Sequence, residues 1–258
     1  MRETKVIRLK TDIQLKKPIM LVGLPGVGHV GKLVAEHLIE ELNAEKVIEI
    51  YSPYFPPQVM VNEDSTIRLV NNEIYTCKAN DIDLLILVGD HQSSNTKGHY
   101  ELCGVYLDIA EEFGVSRIYT LGGFPTGQLT HTDEVIGAVN NLSMIDDLEK
   151  YDVDFRESEP GGGIIGVSGL LLGLSMFRNI DAACLMGFTS GYLVDPKSAQ
   201  SLLRVISKIF KIEIDMGPLE ERAKDVEKIA AQILEMEQQK QQFLPDTRTS
   251  DDDLRYIG

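Results

Sequence analysis

A glycine-rich turn carries the residues whose types and spacing could do chemistry. Residues 19–23 are apolar and predict a short strand, and the apolar positions of residues 30–42 recur at helical spacing. Between these two elements, Gly26, Gly28 and Gly31 let the backbone turn where a side chain would clash. The first free amides of the helix then point at whatever lies in front of it, and a helix start of this kind can hold an anion.

Two nucleotide-binding motifs come close to fitting this turn. The three glycines have the spacing G-x-G-x-x-G, and Glu49 stands about 20 residues further on, where a ribose-binding acid would lie. Extended to Lys32, the segment has the spacing G-x-x-x-x-G-K, but Leu33 replaces the Ser or Thr with which a P-loop binds magnesium. A P-loop is therefore excluded. The dinucleotide hypothesis stays open beside a structural one, in which the glycines only let the helix pack closely against the sheet.

Asp90 and His91 follow an apolar strand and are predicted to lie at the carboxyl edge of the sheet, where open α/β sheets place their ligands. His29, His99 and His131 fall in or near loops at the same edge. A hydrolase or metal site could be assembled from Asp90, His91 and His131. However, no pair has metal-ligand spacing and no hydrolase motif is present, so we predict no metal, no cofactor and no catalytic residue. The alternative is a nucleotide- or nucleoside-binding enzyme that uses the three glycines, Lys32 and this edge.

The alternation of strand and helix patterns predicts an α/β fold with a mostly parallel central sheet flanked by helices. Strands are predicted at residues 5–9, 19–23, 46–51, 83–90, 117–121, 135–139 and 182–187, and helices at 30–42, 97–113, 143–151, 164–177 and 195–210. Residues 46–51 are predicted to be the second strand of a parallel βαβ unit. A glycine loop is expected at residues 122–127. Residues 67–70 and 73–77 flank Asn71-Asn72 and predict an antiparallel hairpin that makes the sheet mixed.

Composition narrows the classes of function. Of the 258 residues, 43% are hydrophobic and 25% are charged, as in ordinary globular proteins. The net charge of −15 argues against nucleic acid and anionic membranes as partners, because both would repel the chain. The longest apolar stretch, residues 164–177, is too short to span a bilayer and predicts a buried helix. Residues 1–5 lack the apolar core of a signal peptide, which predicts a cytoplasmic protein. Cys77, Cys103 and Cys184 fit small buried hydrophobes.

The C-terminal part of the chain differs from the rest. Residues 1–217 are predicted to form the α/β core domain. Residues 218–243 carry one apolar stripe and predict an amphipathic helix that faces either its own domain or a partner subunit. Residues 244–258 are acidic, contain few apolar side chains and predict a flexible tail.

Five glycine-bearing blocks together resemble the proteasome assembly chaperone family, most closely its archaeal members. The blocks are Gly23-x-Pro25-Gly26-x-Gly28-x-Val30-Gly31, Val88-Gly89-Asp90-x-Gln92, Leu121-Gly122-Gly123-Phe124-Pro125-Thr126-Gly127, Gly166-x-Ser168-Gly169-Leu170-Leu171 and Gly187-x-Thr189. The resemblance covers about residues 5–235. It implies an α/β domain similar in layout to nucleoside phosphorylases and hydrolases, without an established catalytic activity.

The resemblance also implies a homo-oligomer, which we expect to be a ring, and binding of proteasome α-type subunits or a paralogous chaperone. Family members that dock on the proteasome end in a hydrophobic residue, a penultimate tyrosine and any last residue, and the terminal carboxylate pairs with a lysine of the partner. Here the tail ends in Leu254, Arg255, Tyr256, Ile257 and Gly258, so the tyrosine is third from the end. This shift moves the carboxylate by about 3.5 Å relative to the ring, enough to break the charged pair. We predict a partner contact through Leu254, Tyr256, Ile257 and Gly258; the alternative is a tail without a partner.

Overall fold

The computed structural model describes residues 1–128, 131–157, 163–226 and 228. The strands of the described residues are β1 (Lys5–Arg8), β2 (Ile19–Gly23), β3 (Glu45–Tyr51), β4 (Val59–Val61), β5 (Ile67–Leu69), β6 (Asn72–Ala79), β7 (Ile82–Gly89), β8 (Arg117–Pro125), β9 (Val135–Val139), β10 (Val153–Asp154) and β11 (Asp181–Thr189). The α-helices that end before residue 217 are α1 (Val30–Glu41), α2 (Thr96–Glu112), α3 (Ile145–Glu149), α4 (Val167–Leu174) and α5 (Pro196–Phe210). Short 3₁₀ turns precede α1 and α3 and follow α4.

One large mixed sheet forms the centre of the domain, with its strands in the order β1-β3-β6-β7-β2-β8-β11-β9-β10. β2 pairs in parallel with both β7 and β8, and β11 continues the parallel part beside β8. The middles of these strands are apolar and buried, as expected where helices cover both faces of parallel strands. β6 and β9 join this centre antiparallel. The predicted α/β fold with a mostly parallel central sheet is confirmed.

Helices cover the two faces of the sheet in separate layers. α1 and α5 bury their apolar sides in one core cluster, and α2 and α4 bury theirs in the other. α5 begins as its sequence predicts, because the Asp195 carboxylate accepts a hydrogen bond from the Ser198 amide at 3.0 Å and Pro196 occupies the first turn. The layers hold the carboxyl ends of β2, β8 and β11 together at one edge of the sheet.

The predicted parallel crossover from β2 through α1 to β3 is present, but the two strands are not neighbours in the sheet. β6 and β7 lie between the two strands, and β3 pairs antiparallel with β1 and β6. β3 nevertheless runs in the direction of β2, because two of the three steps between them are antiparallel. The local apolar pattern identifies the strand and the crossover helix, but it carries no information on how many strands the crossover passes.

The predicted hairpin, in which residues 67–70 pair with residues 73–77 across Asn71-Asn72, is wrong. β5 pairs with β4 in a separate two-stranded ribbon, whereas β6 pairs with β7 across a turn at Asn80, whose φ is +52°. At Asn71 the chain passes from the ribbon into the main sheet. The antiparallel insertion therefore consists of two hairpins, one formed by β4 and β5 and the other by β6 and β7.

Residues 164–177 do not form the buried helix that their composition predicts. They contain α4 and a 3₁₀ turn, and only one side of the segment is covered. Val167 and Leu171 are buried, whereas Ile165 is 93% exposed and Phe177 is 83% exposed. The predicted glycine loop at residues 122–127 is likewise shorter than expected, because β8 continues to Pro125.

The remaining expectations concern the cysteines, membrane spans and the C-terminal helix. Cys103 and Cys184 are buried free thiols, as predicted, and Cys77 is half-buried.

Within the described part of the chain, no helix combines the length and apolar character needed to cross a bilayer. Residues 217–226 are helical and bury Leu219 and Ala223 against the core, but residues 229–258 lie outside the described residues.

Candidate functional site

The glycine-rich turn between β2 and α1 has a strained, compact geometry. A 3₁₀ turn spans Val27–His29, and both Gly28 and His29 are left-handed, with φ of +61° and +53°. The His29 amide donates to the Gly26 carbonyl at 3.0 Å, and the Val30 amide donates to the Val27 carbonyl. These two amides at the helix start are thus used within the turn, which leaves them turned away from an external anion.

Gly28 and Gly31 lie against protein atoms. A Cβ on residue 31 would be 2.0 Å from the carbonyl oxygen of Leu121 in β8, and a Cβ on residue 28 would be 2.7 Å from Oγ1 of Thr189 in β11. Gly26 differs, since it is exposed and a Cβ there would have no heavy atom closer than 4.0 Å. The contacts of Gly28 and Gly31 support the structural interpretation of the motif, in which the glycines let α1 and its turn pack onto the sheet.

Lys32 and Glu49 both make contacts within the protein itself. The Lys32 ammonium donates to the Gly89 carbonyl at 3.1 Å and lies 3.4 Å from the Glu36 carboxylate. Glu49 accepts a hydrogen bond from Lys46 at 2.9 Å. It lies three strands from β2, roughly 14 Å away at the usual strand spacing of about 4.8 Å. The predicted ribose-binding acid is therefore in the wrong place for the glycine turn.

Asp90 holds the β4–β5 ribbon against the end of β7. Its carboxylate accepts a hydrogen bond from Nη2 of Arg68 at 2.8 Å and a further one from the Asn71 amide at 3.2 Å. Burial acts to raise the pKa of Asp90, but the Arg68 guanidinium and the Asn71 amide outweigh it and lower the pKa. Asp90 is thus a structural anion, fixed by its own chain.

The predicted group of Asp90, His91 and His131 is not assembled. His91 contacts the Gln58 side chain at 2.8 Å beside the ribbon, whereas His131 contacts Asp133 at 3.2 Å. β7 and β9, which precede and follow these segments, are four strands apart, roughly 19 Å at the usual spacing. His29 is exposed, and His99 contacts the Asn95 carbonyl at 3.0 Å. Among the described residues, no cluster of three or more His, Cys, Asp or Glu side chains could hold a metal ion.

A cleft of about 580 Å³ opens above the carboxyl ends of β2, β8 and β11. Its walls are largely apolar and come from the glycine turn, the end of β8 and the segment before α4; the side chains include Leu24, Phe124, Ile164, Ile165 and Met186. None of its described lining residues is Asp, Glu, Lys or Arg, and its polar side chains are those of Gln92, His99 and Ser168. A cleft with this lining suits apolar contact better than binding of a charged phosphate.

Gln92 is the polar residue that organises the cleft, a role that its sequence position does not reveal. Its Nε2 donates to the Pro25 carbonyl in the glycine turn at 2.7 Å, and its Oε1 accepts from the Val167 amide at the start of α4 at 2.9 Å. Both ends of this amide are thus used to join two walls of the cleft. The signals in the sequence are its place, two residues after Asp90 at the end of a buried strand, and its presence in the block Val88-Gly89-Asp90-x-Gln92.

Cys184 lies in the cleft floor without the features of a reactive thiol. It is fully buried, and burial raises its pKa to about 11, so the thiol stays protonated at neutral pH. No described residue of the cleft combines a nucleophile with a nearby base. The described residues of the cleft can therefore contact apolar groups of a ligand or partner, but they do not form an acid–base pair.

Comparison with known proteins gives close relatives in the archaea. The chain is 38% identical to an uncharacterized protein of Methanocaldococcus jannaschii over 98% of both chains. Among solved structures it is similar to PbaB of Pyrococcus furiosus, an archaeal proteasome activator, with 39% identity, a TM-score of 0.85 and coverage of 90% of this chain and 99% of that one. PbaA of the same organism, an archaeal homolog of proteasome-assembly chaperone, shares the fold at 21% identity, with a TM-score of 0.75 and coverage of 93% and 95%.

The family assignment follows from these relatives and from a family model. The model of the PAC2 family matches residues 20–234, which include β2 from its second residue, the glycine turn and every later strand of the central sheet. The predicted resemblance to the proteasome assembly chaperones and their archaeal members is thereby confirmed. The chain belongs to the PAC2 family.

Proposed function

We propose that this protein is a non-enzymatic, homo-oligomeric chaperone or scaffold that binds proteasome subunits or a related assembly factor. The observation that carries the proposal is the similarity to PbaB, which reaches 39% identity and extends over 90% of this chain. That protein is an archaeal proteasome activator, and this relationship supports the proteasome as the partner class.

The site geometry supports a role without catalysis. Gly28 and Gly31 belong to the glycine spacing that suggests a nucleotide-binding loop. At both residues, protein atoms occupy the space into which a side chain would extend. Lys32 is held by Gly89 and Glu36, and the neighbouring Asp90 is held by Arg68. Gly28, Gly31, Lys32 and Asp90 thus all make contacts within the fold, which supports a structural role for them.

The proposed contact with the proteasome is the C-terminal tail, residues 244–258, presented by the helix that begins at residue 217. Leu254, Tyr256, Ile257 and Gly258 supply apolar and aromatic groups for a pocket on the partner, as the family resemblance implies. Several copies of the tail on one oligomer would bind together, so that weak individual contacts add by avidity.

The test is capture of archaeal 20S proteasome α subunits on the immobilised protein. Full-length protein, a chain ending at residue 243 and the Tyr256→Ala variant are compared, with Arg248→Ala as a matched control within the same tail. We expect the full-length protein and the control to capture the subunits, and both other variants to lose at least tenfold in affinity. A further variant that lacks Gly258 and carries Arg255→Leu has the hydrophobic residue, penultimate tyrosine and last residue of the family pattern, and is expected to bind more tightly than the full chain.

The outcomes separate the parts of the proposal. Capture that survives deletion of the tail would place the contact on the body and contradict the tail assignment. A lack of capture by every variant, together with stabilisation by a nucleotide, would favour the alternative of a nucleotide- or nucleoside-binding enzyme.

A further inference from the structure

The cleft lies where the connections of two neighbouring parallel strands leave the sheet on opposite faces. β2 and β7 pair in parallel, but β2 leads into α1 on one face, whereas β7 leads into α2 on the other. Such a switch point opens a crevice above the carboxyl ends of the strands, and open α/β sheets bind their ligands there. Gln92, which follows β7, joins the two loops at this point and lines the cleft of about 580 Å³.

Gly122 lines the cleft at a position where neither packing nor backbone conformation requires glycine. It lies in the interior of β8 and pairs with Met186 of β11, in a register that continues without a bulge. A Cβ on residue 122 would have the Met186 Cγ as its nearest heavy atom, at an ordinary contact distance of 3.7 Å, and its φ is outside the left-handed region. The neighbouring Gly123 differs, because a Cβ there would be 2.5 Å from the Val27 carbonyl oxygen.

A glycine inside a strand weakens it, and it marks a bulge, the close approach of another backbone or the close approach of a ligand. At Gly122 the regular register excludes a bulge, and the open space above it excludes a second backbone. We infer that the cleft binds a neutral small molecule that carries an aromatic ring, seated on the backbone of Gly122. This inference goes beyond the proposed function and does not depend on proteasome binding.

The lining of the cleft sets the charge and shape of the ligand. None of its described lining residues is Asp, Glu, Lys or Arg, so a charged ligand would be buried without a partner. The net charge of −15 further disfavours an anion. Phe124, two residues beyond Gly122 on the same face of β8, packs with Met186 around this position. An aromatic ring and a thioether favour contact with a flat aromatic ring.

Two side chains of the cleft keep hydrogen-bonding capacity for a ligand. Nδ1 of His99 lies 3.0 Å from the Asn95 carbonyl, which can only accept, so Nδ1 carries the proton of the neutral ring and Nε2 is an acceptor. The Ser168 carbonyl accepts from Thr120, whereas the Ser168 hydroxyl makes no hydrogen bond to the residues that the structure describes. A ligand with one N–H or O–H group beside its ring matches this pair.

The test uses N-phenylnaphthylamine, a neutral aromatic amine with one N–H group, whose fluorescence rises in apolar surroundings. Anilinonaphthalene sulfonate has the same rings and an added negative charge, so the two probes differ in the property at issue. Both are titrated into the full chain and into Gly122→Val, with Gly104→Val as the matched control, because residue 104 lies in α2 outside the cleft with open space around it. Circular dichroism and the melting temperature show whether each variant is folded.

We expect the wild-type chain and the control to bind the neutral probe at one saturable site and the sulfonate at least about tenfold more weakly. Gly122→Val places a side chain in the space of the ring and should lower the affinity for the neutral probe by at least about tenfold. His99→Phe keeps a ring but removes the acceptor, and should lower this affinity at least about threefold. If Gly122→Val does not fold, His99→Phe decides the test.

The inference is overturned if the wild-type chain does not bind the neutral probe, if it prefers the sulfonate, or if the folded cleft variants bind as the wild type does. Capture of proteasome subunits is measured on the same samples. Loss of capture by Gly122→Val in a chain that does not bind the probe would assign the cleft to a polypeptide segment and likewise overturn the inference. Failure of capture by every sample, together with the expected probe binding, would affect the proposed function alone.

Discussion

Gly31 of α1 lies directly on the Leu121 carbonyl of β8, so closely that a Cβ on residue 31 would be 2.0 Å from the oxygen. Leu121 is itself buried and is paired with Leu185 of β11, and the preceding residue, Thr120, is paired with Val22 of β2. The helix therefore approaches the centre of the sheet as near as its backbone permits. This contact explains the last glycine of the G-x-G-x-x-G spacing without a ligand.

Replacing Gly31 by Ala should destabilise the fold strongly. The added methyl group meets backbone on a central strand, which cannot move away, so we expect a loss of about 3 kcal/mol or more in the free energy of unfolding. Gly104→Ala is the matched control, because residue 104 is within α2 and a Cβ there would have no heavy atom within 4 Å. There we expect a gain of about 0.5–1 kcal/mol from helix propensity. Urea unfolding measures both, and equal stability of the two variants would contradict the packing account.

Removing the Gln92 amide should loosen the cleft. Gln92→Leu keeps the approximate size of the side chain but leaves the Val167 amide and the Pro25 carbonyl without their partner, at a cost of about 1–3 kcal/mol. Hydrogen exchange should become faster at Val167 and in the glycine turn. Gln58→Leu is the control, since Gln58 contacts His91 outside the cleft. Unchanged exchange in the Gln92 variant would show that the two walls are held by other contacts.

The Arg68–Asp90 pair should stabilise the folded protein at neutral pH but not in acid. Because the pKa of Asp90 is lower in the folded chain than the value of about 3.9 expected when unfolded, the pair stabilises the fold above that pH and loses its effect as the pH falls through the folded pKa. Arg68 is partly exposed, so we expect about 1 kcal/mol at neutral pH.

Asp90→Asn, Arg68→Met and the double variant measure this coupling in a cycle. Urea unfolding at pH 7 should give the coupling free energy, and the same cycle at a pH low enough to protonate the Asp90 carboxylate should give a value close to zero. A coupling that stays constant over this range would mean that the carboxylate charge is not what holds the ribbon.

Nucleotides should leave the melting temperature unchanged. Because Gly28, Gly31 and Lys32 make protein contacts, we expect adenosine, AMP, ATP with magnesium and NAD to bind too weakly to stabilise the fold. A ligand present at 100 times its Kd would add about 2.7 kcal/mol, which a thermal-shift assay detects readily. A rise in Tm that Lys32→Ala abolishes would revive the alternative of an enzyme.

Local patterns were sufficient to predict the part of the fold in which neighbours in sequence are neighbours in space. The strand at residues 19–23, the turn and α1 follow from apolar periodicity and glycine spacing, and the start of α5 follows from Asp195-Pro196. Strand partners could not be predicted in this way. The pairing of β5 with β4, instead of with β6, depends on which residues meet across the ribbon and on the Arg68–Asp90 contact, neither of which a hydrophobic pattern contains.

The candidate site was predictable in position but not in chemistry. The cleft opens at the carboxyl edge near Asp90, where the strand pattern predicts ligand contacts, and Gln92 spans it. However, whether a polar side chain faces a ligand or its own backbone depends on distant segments, and Gln92 reaches Val167 across 75 positions of sequence. Residues 164–177 are a second example. Their apolar composition predicts a buried helix, but it does not indicate which of the side chains the rest of the chain covers.

The most direct test of the proposed function is the native mass of the protein mixed with archaeal 20S proteasome, compared with each component alone. We expect an assembly whose mass equals one proteasome plus at least one oligomer of this 28.7 kDa chain, and we expect truncation at residue 243 to abolish it. Masses that remain those of the separate components at every mixing ratio would contradict the proposal that this chain binds the proteasome.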